Sequence, residues 1–572
     1  MVQTGEVTND PATSDDDSES ATAPDGVVPP TATSKELPWR TEVLLLIVLG
    51  LLLRITKIVA TEPWLDEACS IELARHGPVA LLQTLGTTDA SPHPPLYFLI
   101  LSGVISLLGD AVGPARLPSL FAGLGLVAGT AEAARRVAGR WPGRIAGLIA
   151  VVSPLAIHYS VEARSYSLLA MLCLALALTA QRLVSDWQVK TAIALAALGL
   201  AAGLTHYFAL FIVPLPLLLA VPSRGGSAPD ANRPAGASTT QRELIIRALK
   251  ATALLAVAMA PALWLVVGQL QRGAGGTSWL RPLPSVFGAF VSTLEAMAIG
   301  THLPQYLGHA GMIRMGAPSH ALGLGFLGTG ALVGMLWPLS APYRGPRRAL
   351  VAVAGLAIGA PLLLSLWRPL YLPGRYELAA MAPLHALAAV GWWQVANMLR
   401  RQHVRREQFA GWILCLVVVG LSVGYLPRYL TLHTVQPFTL LTSNIIRGST
   451  PARSRQSAVI LTRLTGPPTT WQLRQTEYSG LTRYFPAEQG QHPCWVDRAS
   501  SRDPALADEA KTLARELQRA GVRRLFVIVT LRGRHTLAPA GLLLNTLKVN
   551  GWKMKGGRRM DTYGIVIFKR KG

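Results

Sequence analysis

The feature that most constrains this chain is a succession of apolar runs, each about 17–25 residues long, separated by short polar loops. A helix of that length crosses a hydrocarbon layer of about 30 Å with its backbone N–H and C=O groups bonded internally. Half of the 572 residues are hydrophobic, 15% are charged, and the mean hydropathy is +0.35. The chain therefore reads as a polytopic membrane protein. Its formal charge of +23 does not argue for nucleic acid, because Lys and Arg fall mostly in short loops between apolar runs.

The same basic residues orient the chain. The strongest short basic loops are 135–144, 344–348 and 400–406, and a polar, basic-ended loop covers 224–247. All four face the cytoplasm together if the N-terminus is inside and the segment 93–108 does not cross. That segment is short, starts at Pro94-Pro95 and ends at Gly109-Asp110, which suits a helix lying along the outer surface. Crossings are then expected near 41–60, 115–137, 145–160, 167–184, 190–206, 208–222, 248–267, 319–338, 348–366, 375–396 and 409–426, about eleven in all. The 208–222 run, interrupted by Pro214 and Pro216, is the weakest. A second surface helix is expected over 286–299 in the long outer loop 268–319.

Three domains follow. Residues 1–36 are acidic, rich in Ser, Thr and Pro, and too poor in large apolar side chains to fold. Residues 37–430 hold the membrane helices, with the first helix acting as an uncleaved signal. Residues 446–572 change character: SAVILTRL, VRRLFVIVTLR and YGIVIFKR read as strands, and DPALADEAKTLARELQRAG as an amphipathic helix. This soluble α/β domain is expected outside the cytoplasm. From Pro451 onward it carries 22 Lys and Arg against 8 Asp and Glu, an excess of +14 that suits anionic headgroups, an anionic polymer or simple solvation. Cys69, Cys173, Cys415 and Cys494 have no metal-ligand spacing; Cys69 and Cys494 could both face an oxidising compartment, though nothing in the sequence pairs them.

Charged residues at membrane helix ends are costly and need a reason. On the expected outer face they gather at Asp66-Glu67, at His93, at Glu162 with Arg164, and at Arg368 with Arg375 and Glu377. Acids beside cations on one face suggest a carboxylate that takes a proton next to a bound anion. Each residue alone has a plainer reading. Asp66 could cap the helix that follows it, Glu162 and Arg164 could be interfacial residues, and the prolines after His93 could only end a loop.

Taken in order, the motifs W-x-D-E-x-x-S, H-P-P-L-Y-F, A-R-L-P-S, H-Y-S-x-E-A-R-x-Y-S and R-Y-E-L-x-x-x-A-P-L resemble a family. Over about 41–396 the chain is similar to the GT-C membrane glycosyltransferases related to protein O-mannosyltransferases and bacterial aminoarabinose transferases. The resemblance implies a mostly α, polytopic bundle whose first outer loop carries surface-lying helices and the catalytic acid. It also implies a polyprenyl-phosphate-linked monosaccharide as donor, and a lipid, cell-envelope glycan or protein as acceptor. By motif, it makes Asp66 the general base and Glu67 a residue that shapes the site or contacts acceptor or metal. Glu162 becomes a second acid, and Arg164, Arg375 and His93 become ligands of the donor phosphate. A divalent metal stays open as an addition. The chain lacks the inserted β-trefoil of protein O-mannosyltransferases, and His93 stands where aminoarabinose enzymes usually have Lys.

The implied reaction is attack of an acceptor hydroxyl on the anomeric carbon with inversion, in a multi-pass protein of the plasma membrane. A transporter or flippase of lipid-linked sugar is the alternative, and would keep its charges near the bilayer midplane. A scaffold presenting the basic C-terminal domain would leave the acidic pair unexplained. The glycine-rich pieces GLGLVAGT and LGLGFLGTG lie within apolar runs and are expected to serve helix packing rather than phosphate binding.

Overall fold

A computed structural model describes residues 37–60, 63–87, 93–221, 240–271, 285–299, 317–338, 341–368, 370–402, 456–462, 481–485, 504–530, 534–560 and 563–570, with positions 445, 469, 473, 478 and 479. The acidic tail 1–36, the apolar run 409–426, Cys415 and Cys494 lie outside the described residues.

The helices run in the order α1 (Trp39–Ala60), α2 (Leu65–Arg75), α3 (Pro78–Thr87), α4 (Leu96–Leu108), α5 (Val112–Ala138), α6 (Arg140–Val152), α7 (Pro154–Ser160), α8 (Tyr166–Ser185) and α9 (Val189–Thr205). They continue with α10 (Leu215–Leu219), α11 (Gln241–Gln271), α12 (Val286–Ile299), α13 (Ala317–Leu336), α14 (Ala341–Leu364) and α15 (Met381–Gln402). Among the described residues, five helices, within α5, α8, α11, α14 and α15, are long and apolar enough to cross a membrane, and the bent pair α6–α7 makes a sixth if it is one span. Length and composition do not by themselves reach the expected eleven. The helix α1 has the length but carries Glu42, Arg54 and Lys57, and α9 and α13 offer shorter apolar stretches. The run expected over 208–222 is a 3₁₀ turn, Tyr207–Ile212, followed after Pro214 by the five residues of α10. At 13 residues α4 is about 20 Å long, too short to cross. The expected helix over 286–299 is present as α12.

Helix α5 packs against α1, α4, α6, α7, α8 and α15, and small side chains permit the approach. A Cβ at Gly123 would collide with Ser160, and one at Gly334 or Gly391 would strike the facing backbone where α13 crosses α15. Both glycine-rich pieces thus contribute packing surfaces, Gly123 from the first and Gly330, against Trp392, from the second. The charges inside α1 are also met. Between α6 and α7 the chain bends by 61° at Ser153-Pro154. Arg54, fully buried, donates to the carbonyls of Ala150 and Val151 at 3.2 Å, where that break leaves them without helical donors. At the N-terminal end of α1, Glu42 pairs with Arg140 and Arg144 at 2.8 and 2.6 Å, and Glu132 pairs with Arg135 and Arg136. The basic loop 135–144 is therefore anchored to the bundle.

The C-terminal part forms a five-stranded mixed sheet ordered β2-β1-β3-β5-β4. Its strands are β1 (Ser457–Thr462), β2 (Leu481–Phe485), β3 (Arg524–Thr530), β4 (Trp552–Met560) and β5 (Tyr563–Arg570). Strands β1, β2 and β3 are parallel, while β5 runs antiparallel to β3 and β4. Leu525, Val527 and Val529 pack with Leu513 and Leu517 of α16 (Pro504–Arg519) and Leu543 and Leu547 of α17 (Arg534–Val549). Three strands and α16 match the sequence expectation; β2, β4 and α17 were not anticipated.

Candidate active site

Trp64 is the N-cap of α2 with extended backbone, so Asp66 and Glu67 both fall in the first turn. The reading of Asp66 as the cap is thereby corrected, since the helix starts two residues earlier and no side chain caps it. Carboxylates in a first turn are favoured by the helix dipole. Because successive helical residues point about 100° apart, the two acids diverge.

Glu67 turns into the bundle. Its two oxygens receive Nε and Nη2 of Arg116 at 2.8 Å each, and Oε1 also accepts the Ala163 N–H at 2.8 Å. Arg116 donates on to the Ile58 carbonyl at 2.9 Å. With side chains only 3% and 2% exposed, this pair ties α2, α5, the end of α1 and the 161–165 segment together. Glu67 lies beside the expected site without opening into it.

Asp66 turns the other way. Its Oδ2 accepts from Nη2 of Arg375 and lies 3.8 Å from Nη2 of Arg164. Burial alone would raise the Asp66 carboxyl, but the charges of Arg375 and Arg164 outweigh it and hold the pKa below its ordinary value. Asp66 is therefore ionised at neutral pH. Its side chain is 18% exposed against 7% for each arginine, so it forms the accessible edge of the group.

Several motifs position the two arginines. Ser70 Oγ donates to the Asp66 carbonyl at 2.8 Å and accepts from Arg164 Nη1 at 3.2 Å. The Arg164 carbonyl accepts from Ser119 Oγ at 2.9 Å, which leaves the Tyr97 hydroxyl to donate to Ser119 at 2.7 Å. Nη2 of Arg164 lies 2.9 Å from Nε2 of His93. Burial, followed by the nearby charge of Arg164, keeps the His93 imidazole well below its usual pKa. Arginine has no acceptor, so Nε2 of a neutral His93 accepts this bond. Arg375 donates from Nε to the Tyr166 hydroxyl at 2.7 Å and lies over the rings of Trp64 and Tyr166, each 5.3 Å away. The turn before it depends on Gly374, whose φ of +79° suits glycine. The Gly374 N–H donates to Glu377 Oε1, and its carbonyl accepts from the Tyr159 hydroxyl at 2.7 Å.

Of the residues expected from sequence, Asp66, Arg164, Arg375 and His93 are in direct contact. Glu162 joins them through Trp64, whose Nε1 donates to Oε1 at 2.7 Å, and His158 Nε2 lies 3.3 Å from Oε2. Among the described residues, Arg368 is exposed and forms no hydrogen bond or ion pair with this group. Arg116, Trp64, Tyr166 and His206 also contact these residues or their supports, and the sequence motifs alone assign them no role. Arg116 sits inside the A-R-L-P-S motif, and Tyr166 inside H-Y-S-x-E-A-R-x-Y-S, so the signal was present without a role. Among the described residues, no group of three or more His, Cys, Asp or Glu side chains is placed to hold a metal ion.

This geometry is accompanied by likeness to known proteins. The family described as dolichyl-phosphate-mannose-protein mannosyltransferase matches residues 92–227. Among solved structures, apo ArnT from Cupriavidus metallidurans is 14% identical with a TM-score of 0.54, covering 92% of this chain and 98% of that one. The same protein bound to undecaprenyl phosphate is 15% identical with a TM-score of 0.53, covering 92% and 97%. The apo oligosaccharyltransferase of Archaeoglobus fulgidus is 11% identical with a TM-score of 0.50, covering 93% and 74%. No curated protein matches the chain by sequence. The chain has the fold of the GT-C membrane glycosyltransferases. Within that class it resembles ArnT over nearly its whole length and the mannosyltransferase family over 92–227.

Proposed function

We propose that this protein is a glycosyltransferase that moves a monosaccharide from a polyprenyl-phosphate carrier to an acceptor hydroxyl at the outer face of the membrane. The acceptor is a lipid, a cell-envelope glycan or a protein. The observation that carries this reading is the charge of the side chains in direct ionic contact: two guanidinium ions, Arg164 and Arg375, stand against one carboxylate, Asp66. A sugar phosphodiester carries one negative charge and balances the surplus.

The reaction keeps that balance. The acceptor oxygen attacks the anomeric carbon opposite the phosphate, forming a new C–O bond and inverting the centre. The bond from that carbon to the phosphate oxygen breaks, and its electron pair stays on the departing polyprenyl phosphate. The acceptor proton passes to Asp66, a role typically worth about 10²–10⁴-fold in rate. One negative charge thus leaves Asp66 as another develops on the phosphate. The arginines follow it, stabilising the transition state more than the ground state. An arginine drawn to the phosphate also loosens its hold on Asp66, which makes that carboxylate a stronger base when donor is bound. Glu162, oriented by Trp64 and His158, faces the acceptor or the sugar hydroxyls, and Glu67 positions the loop that carries Arg164.

The N-terminus is cytoplasmic and the C-terminal domain extracytoplasmic in this reading. Cys69, three residues beyond Asp66, is disulfide-bonded, which supports an oxidising compartment on the Asp66 face. The cluster also gathers at helix ends and loops rather than midway along a crossing, which favours an enzyme over a flippase.

The test uses purified full-length protein in lipid bilayers, supplied with polyprenyl-phosphate sugars and an envelope extract as acceptor. Release of free polyprenyl phosphate is expected with wild type and lost with Asp66→Asn. Release that ignores the substitution would reject the mechanism, and failure with every lipid-linked sugar would reject the donor class.

A further inference from the structure

His206 lies between α9 and the 3₁₀ turn that follows, and is 6% exposed. Its Nδ1 accepts the Phe208 N–H at 3.2 Å, so Nδ1 bears no proton and the hydrogen of the neutral ring is on Nε2. That Nε2–H is buried and has no acceptor. A buried donor left unmet is costly, so its retention needs an explanation.

The surroundings supply one. The His206 ring centroid is 5.9 Å from His93 and 5.7 Å from Tyr166, the side chains that bond Arg164 and Arg375 respectively. Arg164 has an unmet donor of its own, because its buried Nε also lacks an acceptor. Two idle donors, from different elements, therefore flank the same cation-rich group. Phe208 and Tyr376 add further rings beside His206 and contribute no acceptor to it. What fits is a ligand with several acceptor oxygens and no need to donate, which describes a phosphate.

We propose that His206 is a further ligand of the donor phosphate, giving Nε2–H to a non-bridging oxygen while Arg164 and Arg375 supply the charge. This rests on the polyprenyl-phosphate reading above and adds to it a neutral donor. A phosphate held by a third, uncharged group gains direction without adding a positive charge that would weaken Asp66 as a base.

The experiment measures binding of undecaprenyl phosphate, and of the uncharged undecaprenol, to full-length protein in bilayers. His206→Phe keeps the ring and removes the donor. His206→Gln restores an N–H near the Nε2 position. A hydrogen bond to a charged group is typically worth about 1.5–3 kcal/mol, so His206→Phe is expected to weaken phosphate binding about 10–100-fold. Undecaprenol binding should be unchanged, and His206→Gln should recover most of the loss. Wild-type phosphate affinity in a folded His206→Phe protein would overturn the inference and leave the functional reading standing. Equal losses for undecaprenol and its phosphate would overturn it too, by showing a packing role. A wild type with no preference for the phosphate over the alcohol would overturn both.

Discussion

Arg375 donates through Nη2 to Oδ2 of Asp66, joining positions 309 residues apart in the sequence. The charge of Arg375, with that of Arg164, keeps the carboxylate ionised, and the contact holds the guanidinium against it. Removing Arg375 should therefore have two effects with one cause. In Arg375→Ala, apparent donor affinity should fall about 10–100-fold, as expected for a lost charge-assisted contact.

The second effect concerns pH. Arg375 and Arg164 outweigh burial and hold the Asp66 pKa below its ordinary value, so the acidic limb of wild-type activity should lie below the usual carboxylate range. Without Arg375 the Asp66 pKa rises, and the acidic limb of kcat/KM should move to higher pH. A profile in Arg375→Ala that keeps its acidic limb would detach Asp66 from the titration.

The Glu67–Arg116 pair is a different sort of contact, buried on both sides and bidentate. Breaking one partner leaves an uncompensated buried charge, with a typical cost of about 3–5 kcal/mol. Glu67→Gln and Arg116→Met should each lower the unfolding temperature of the purified protein markedly. The double substitution should recover part of the loss, because it removes the stranded charge. Additive losses would argue against direct coupling.

Glu377 precedes the last described crossing, which begins at Leu378. Burial pushes its carboxyl up from 4.5 to about 7, against the opposing bond from the Gly374 N–H. A raised acid favours the protonated fold, so stability is greatest at low pH. It should decline from about pH 4.5 and bear the full penalty above about pH 7. The penalty is on the order of 3 kcal/mol at the ordinary exchange of 1.36 kcal/mol per pKa unit. Thermal unfolding between pH 5 and 8 should show a steeper slope in wild type than in Glu377→Gln, and parallel slopes would contradict it.

Much of this site was legible because its parts stand in recognisable order. Each of the five sequence motifs delivers at least one side chain to the cluster or its supports: Asp66, His93, Arg116, Arg164 and Arg375. What could not be read was which acid faces in. Asp66 and Glu67 are neighbours, and only the start of α2 at Leu65, together with Arg116 on the far side, separates the carboxylate that meets Arg375 and Arg164 from the one that pairs with Arg116. His206 was hidden for another reason: a single histidine ending an apolar run looks like an ordinary interfacial residue until its neighbours are known. The number of crossings was equally hard to read. Arg54 lies inside α1, a run expected to cross, and the broken α6–α7 pair supplies the carbonyls that receive it.

The most direct measurement of the central claim is the level of lipid-linked sugars in cells lacking this protein, compared with cells carrying wild type or Asp66→Asn. The account predicts that one polyprenyl-phosphate monosaccharide accumulates in the null strain and with Asp66→Asn, and falls to the normal level with wild type. Unchanged lipid-linked sugars in the null strain, or full clearance by Asp66→Asn, would contradict it.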